Sequence, residues 1–154
     1  MQHFIRCLGA LGLAGMLTAT AHAEQPSPDG NAVWQHLLAK EYTTWGQFDD
    51  HKGMQKGNGP HGAMHKVYAN RIALDAHGGV PPGAMLVKDN FDTDGRLIAI
   101  TVMYKVKGYN PEAGDWFWAK YTPEGDVLIA GKPGGCVGCH GQARSNHFTL
   151  THAW

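Results

Sequence analysis

The sequence predicts an α+β protein, mainly antiparallel β-sheet, with a short N-terminal helix and a C-terminal segment organised around one Cys-x-x-Cys-His motif. Three observations carry this. Ala63 to Asn70, Ala84 to Phe91, Leu97 to Lys107, Asp115 to Tyr121 and Val127 to Ala130 are rich in Val, Ile, Tyr, Trp and Thr with a period of two, the pattern of strands. Asp92-Thr93-Asp94-Gly95 and Thr122-Pro123-Glu124-Gly125-Asp126 are short turn sequences that suit hairpins, whereas parallel pairing would need helical crossovers. Val33, Trp34, Leu37, Leu38 and Glu41 instead fall at helical spacing.

In chain order, Met1 to Thr20 reads as Arg6, an apolar stretch from Leu8 to Leu17, and then Ala21-His22-Ala23. This is the pattern of a secretory signal peptide, 1–23, cleaved after Ala23. The apolar stretch is too short to span a bilayer. Cys7 lies before the apolar run, not at the cleavage point, which argues against a lipoprotein anchor. The expected mature chain, 24–154, has 131 residues, enough for one hydrophobic core and one domain. Its twelve basic and thirteen acidic residues carry no nucleic-acid footprint. An exported protein that stays off the membrane, in the periplasm, is expected.

Residues 24–31 form a polar leader in which Asp29 or Asn31 can cap the helix that follows. That helix is expected to end near Thr43-Thr44 or Gly46, with Trp34, Leu37 and Leu38 toward the core. Asp49 to Gly62 holds Gly53, Gly57, Gly59, Pro60 and Gly62 and reads as a long functional loop. The Asp92-x-Asp94-Gly95 fragment has its glycine too early for a calcium loop and is read as a turn.

The expected mature chain keeps two cysteines, Cys136 and Cys139, too close together for a useful disulfide loop. Cys136-Val137-Gly138-Cys139-His140 is instead the attachment sequence for haem c. Two thiols at this spacing bond the porphyrin vinyl groups, and the adjacent histidine reaches the iron. His140 is the expected metal ligand, and Gly134, Gly135, Gly138 and Gly141 suit backbone lying close to a large flat ring. A redox dithiol would sit in a βαβ unit, and zinc would need two more ligands. For a sixth iron ligand no spacing selects among Met54, Met64, Met85 and Met103, or among His36, His51, His61, His65, His77, His147 and His152. Trp116-Phe117-Trp118 reads as core on alternating strand faces.

A haem motif at the end of a β-rich, exported chain resembles the cytochrome P-460 family. The resemblance rests on Pro60-His61-Gly62 leading to Lys66-Val67-Tyr68-Ala69-Asn70, on Pro82-x-Ala84-x-x-Val87-Lys88, and on Met103-x-Lys105. It continues through Trp116-x-Trp118-x-x-Tyr121 and Cys136 to His140, followed by Asn146-His147-Phe148-Thr149. It implies a mostly antiparallel β fold, a homodimer, and one covalent haem c whose second face stays open to small nitrogen compounds. In the hydroxylamine-oxidising members a lysine is also bonded to the haem edge; by motif position this falls on Lys66, with Lys88 and Lys105 as alternatives. The family's proton-moving carboxylate falls near Phe91, with Asp89 and Asp92 beside it as catalytic candidates. Phenylalanine there is similar to the sister group, cytochrome c′-β, whose members bind nitric oxide and lack the lysine bond. Two functions follow from the resemblance: oxidation of hydroxylamine to nitrous oxide or nitric oxide, with a soluble c-type cytochrome taking the electrons, or nitric oxide binding behind Phe91 and Phe48 or Phe117. Plain electron transfer would require a sixth protein ligand.

Overall fold

A computed structural model describes residues 25–154, and the predicted signal segment lies outside them. Helix α1 runs Gly30–Ala39 and begins where expected, because the Asp29 carboxylate accepts the backbone N–H groups of Asn31 and Ala32 at 3.0 Å each. It ends earlier than its periodicity suggests. Glu41 turns the backbone left-handed (φ 46°), and Tyr42–Thr44 continue as a single 3-10 turn. Val33 and Leu37 are fully buried, and burying Leu37 contributes about 1.5–3 kcal/mol. Leu38, expected in the core, is half exposed; one residue further round the helix from Leu37, it falls off the buried stripe.

Six strands follow: β1 (Gln55–Gly59), β2 (Gly62–Ala69), β3 (Met85–Phe91), β4 (Leu97–Lys105), β5 (Trp116–Tyr121) and β6 (Val127–Gly131). They form one antiparallel meander in sequence order. Strand β1 is the element the sequence hides. Lying at the sheet edge, it has no apolar alternation, and backbone pairing with β2 (Gln55 with His65, Lys56 with Met64) makes it a strand. Between β2 and β3 is the four-residue helix α2 (Arg71–Leu74), capped by Asn70, whose side-chain oxygen accepts the Ala73 N–H at 3.0 Å. In the β3–β4 connection one Asp92 carboxylate oxygen accepts the backbone N–H groups of Asp94 and Arg96, an ordinary turn use for this aspartate.

Alternation along the strands splits the core in two. One face packs Met85, Val87, Ile100, Val102, Tyr104, Phe117 and Tyr121 against Val33 and Leu37 of α1 and against Tyr42. The opposite face packs Ala69, Leu86, Trp116 and Trp118 against Phe48, Ala73, Val80 and Phe148. Trp116, Phe117 and Trp118 thus alternate between the faces, as a strand requires. The second face is closed at one end by helix α3 (Gly134–His140) and the kinked 3-10 segment after it, Gly141–Asn146. No helix among the described residues is long and apolar enough to cross a membrane.

Candidate functional site

Helix α3 carries the whole Cys-x-x-Cys-His motif. Cys136 and Cys139 are three residues apart and so share a helix face, with His140 following directly. All three line one cavity of about 440 Å³ between α3 and the second face of the sheet. Its walls are mostly apolar, with Val67, Leu86, Met103, Trp118, Ile129 and Leu150 contributing. The strand register sets the polar content of the sheet wall: Val67 pairs with Lys88, Lys88 with Thr101, and Thr101 with Lys120, so one row crosses four strands on a single face. Lys88, Thr101 and Lys120 all line the cavity, as do Pro60 and His61 of the β1–β2 turn.

The orientation of His140 is well determined. Its Nδ1 lies 2.8 Å from the Phe148 carbonyl oxygen, which can only accept, so Nδ1 carries the proton and Nε2 keeps a free lone pair. That carbonyl is presented by two consecutive residues in left-handed conformation, His147 (φ 52°) and Phe148 (φ 65°). The strain is held by neighbours: Trp116 Nε1 donates to the His147 carbonyl at 2.8 Å, and Phe148 N–H donates to Ala143 at 2.8 Å. The Trp118 ring meets His140 edge-on at 4.6 Å. Burial lowers the pKa of His140, against a raising effect of the Phe148 bond.

The remaining groups are shifted mainly by desolvation. Burial pulls the Lys88 amine below its usual range and pushes the Cys136 thiol above its own. Burial first, then the electrostatic effects of Lys88, His140 and Lys120, brings His61 down to about 4. Neither Lys88 nor Lys120 has an ion-pair partner among the described residues, and Trp118 Nε1 is buried with no acceptor. Two thiols, a histidine with a free Nε2, apolar walls, two unpaired cations and an orphaned donor fit haem, a flat apolar ring with two carboxylates.

The candidates from sequence divide between the faces. Lys66 pairs with Asp89 across β2 and β3 on the α1 side, where Tyr42 OH donates to Asp89 Oδ1 at 2.9 Å. Burial raises the Asp89 pKa, while Tyr42 and Lys66 lower it. Asp92 serves the turn, and neither Phe91, Phe48 nor Phe117 lines the cavity. Phe48 stacks on His152 at 3.7 Å, and Phe117 is buried on the α1 face. Lys105 Nζ donates to the Gly114 carbonyl at 2.6 Å and lies over the Trp116 ring. Of the three lysine candidates, Lys88 alone lines the cavity, and of the sixth-ligand candidates only His61 and Met103 do. Strand phase puts Lys88 on the face of Leu86, opposite Met85 and Val87, and the packing of α1 on the Met85 and Val87 face decides which side is the cavity.

A sheet with thiols and histidine gathered beside an apolar cavity on one face makes this an α+β protein whose cavity suits a haem. The family model for cytochrome P460 matches residues 39–151, and the chain belongs to that family. Membership makes it a haem protein of the P460 type. No curated protein matches the chain.

Proposed function

We propose that this is an exported, periplasmic haem c protein that oxidises hydroxylamine, with thioether bonds from Cys136 and Cys139, His140 as the iron ligand, and Lys88 as the lysine at the haem edge. Haem bound there supplies an iron that takes nitrogen lone pairs and accepts electrons. The observation that carries the reading is an unpaired lysine, Lys88, in the same cavity as both thiols and His140. Burial pulls its amine below the usual range, so its lone pair is more readily exposed than that of a solvated lysine. The phase of β2 speaks against Lys66 in this role, since its register partner Asp89 is on the α1 side. Helix α3 delivers His140, and Phe148 holds its ring so that Nε2 remains available. Val67, Leu86, Met103 and Trp118 exclude water, which strengthens every polar interaction inside the cavity.

Signal cleavage after Ala23, assembly as a homodimer, a single domain over 24–154 and electron delivery to a soluble c-type cytochrome complete the proposal. The second reading, nitric oxide binding without catalysis, has one observation in its favour: among the described residues no carboxylate lines the cavity. The optical spectrum of the reduced, haem-loaded protein separates the two. A broad, red-shifted main band that becomes an ordinary c-type spectrum in Lys88→Leu, but not in Lys66→Leu, is expected. An ordinary five-coordinate spectrum in the unaltered protein, changing on addition of nitric oxide, would replace the oxidase reading with the binding one. A six-coordinate low-spin spectrum would sink both in favour of electron transfer.

A further inference from the structure

We propose that His61 is the catalytic residue of this cavity, accepting a hydrogen bond and then a proton from a small compound with N–H or O–H groups. The inference rests on the hydroxylamine reading above. Among the described residues two imidazoles line the cavity, those of His61 and His140. That of His140 is committed through Nδ1 to the Phe148 carbonyl, whereas the ring of His61 makes no hydrogen bond to any described residue. Among the described residues no carboxylate, the usual alternative base, lines the cavity, and Asp89 is tied to Tyr42 behind the sheet. Of the other polar groups on the sheet wall, Lys88 is the amine assigned above to the haem edge, and Lys120 ends in an ammonium group, which donates and cannot accept.

Presentation of His61 is fixed by backbone packing. It is the second residue of a two-residue turn, Pro60-His61, between the paired glycines Gly59 and Gly62. At Gly62 (φ +148°) a Cβ would lie 2.7 Å from the Phe91 carbonyl oxygen, and at Gly57 one would collide with the Gly62 carbonyl oxygen. The hairpin tip therefore sits directly on the β3 backbone, closer than any side chain permits, and this contact sets where His61 enters the cavity. The half-buried ring is neutral near pH 7, since burial and the surrounding positive charges disfavour its protonated form. One ring nitrogen then holds a free lone pair.

The chemistry balances without a further reactant. An N–H bond of hydroxylamine breaks, its proton joins the free ring nitrogen, and the bonding pair stays on the substrate nitrogen, leaving an imidazolium. Nitric oxide has no proton to give, so His61 favours hydroxylamine over the diatomic gas.

The test uses the haem-loaded protein and the His61→Phe and His61→Gln variants. The first readout is the stretching frequency of carbon monoxide added to the reduced form, which responds to a polar group beside the ligand whatever the substrate is. His61→Phe is expected to shift this frequency, and to weaken hydroxylamine binding in an optical titration by about tenfold or more, the loss of one hydrogen bond of roughly 1.4 kcal/mol. Nitric oxide affinity should stay within about twofold, and His61→Gln should retain part of the hydroxylamine affinity through its side-chain oxygen. An unchanged carbon monoxide frequency in His61→Phe overturns the proposal. So does conversion from a low-spin to a high-spin spectrum, which would make His61 an iron ligand. A shifted frequency together with no hydroxylamine turnover by the unaltered protein sinks the oxidase reading alone and leaves His61 as the cavity's hydrogen-bonding residue.

Discussion

Replacing Gly114 with alanine tests whether the strained turn that orients His140 is held from behind. Gly114 is left-handed (φ +68°), where an L-residue costs about 1–2 kcal/mol. A Cβ there would also lie 2.8 and 2.9 Å from two carbons of the Phe148 ring and 3.4 Å from Trp116. Phe148 is 3% exposed and Trp116 fully buried, so neither can move aside freely; overpacking of this kind costs about 1–3 kcal/mol. Reduced freedom of the unfolded chain returns about 0.4–1 kcal/mol. The net loss is therefore about 1–4.6 kcal/mol, which for a domain of this size lowers the thermal midpoint by roughly 4–18 °C. Gly108 supplies the control, because it has a similar φ of +73° with nothing within 4 Å of an added Cβ. Gly108→Ala should lose only the backbone contribution. The assay is thermal unfolding followed by circular dichroism, beside the absorption spectrum after haem loading. Equal destabilisation by the two substitutions, with His140 ligation unaltered, would refute the claim that the close approach at Gly114 holds the Phe148 turn from behind.

Two further predictions concern pH. Burial raises the folded-state pKa of Asp89 above the ordinary aspartate value of 3.8, so the folded chain keeps that proton where the unfolded chain has released it. Its contribution therefore falls as pH rises from the ordinary value through the folded one. Asp89→Asn, which keeps an oxygen to accept from Tyr42, should raise the thermal midpoint at pH 7 and lose that advantage near pH 3. A lower midpoint at pH 7 would mean the Lys66 charge outweighs burial. His65 moves the other way: burial first, then Lys88, His51 and His61, brings it from 6.5 to about 4, so stability falls as pH drops through that interval. Its Nε2 lies 2.7 Å from His51 Nε2 while its Nδ1 is buried and unpartnered. His65→Phe should flatten the acid limb of the stability profile between pH 6.5 and 4, and an unchanged slope in urea titrations would show that His65 carries no such proton linkage.

Local signals were enough for much of this molecule. The alternation of Trp116-Phe117-Trp118, the Asp29 cap and the Asp92 turn each depend on neighbours a few residues away, and each appears in the fold as its local chemistry dictates. The Cys136-x-x-Cys139-His140 spacing likewise names its chemistry without a fold, because thioether attachment is confined to one short segment. Long-range pairing decided the rest. Strand β1 exists because β2 offers it hydrogen bonds, so its glycine-rich sequence reads as loop until the partner is known. Lys66 and Lys88 look equivalent along the chain, since each sits among alternating apolar residues. Which of them faces the cavity follows from the face that α1 covers, and α1 is placed by packing between residues far apart in sequence. His61 is the same case: the seating of Gly62 on the Phe91 backbone brings it to the cavity that His140 also lines, and sequence contains no periodic signal for a contact made through a missing side chain.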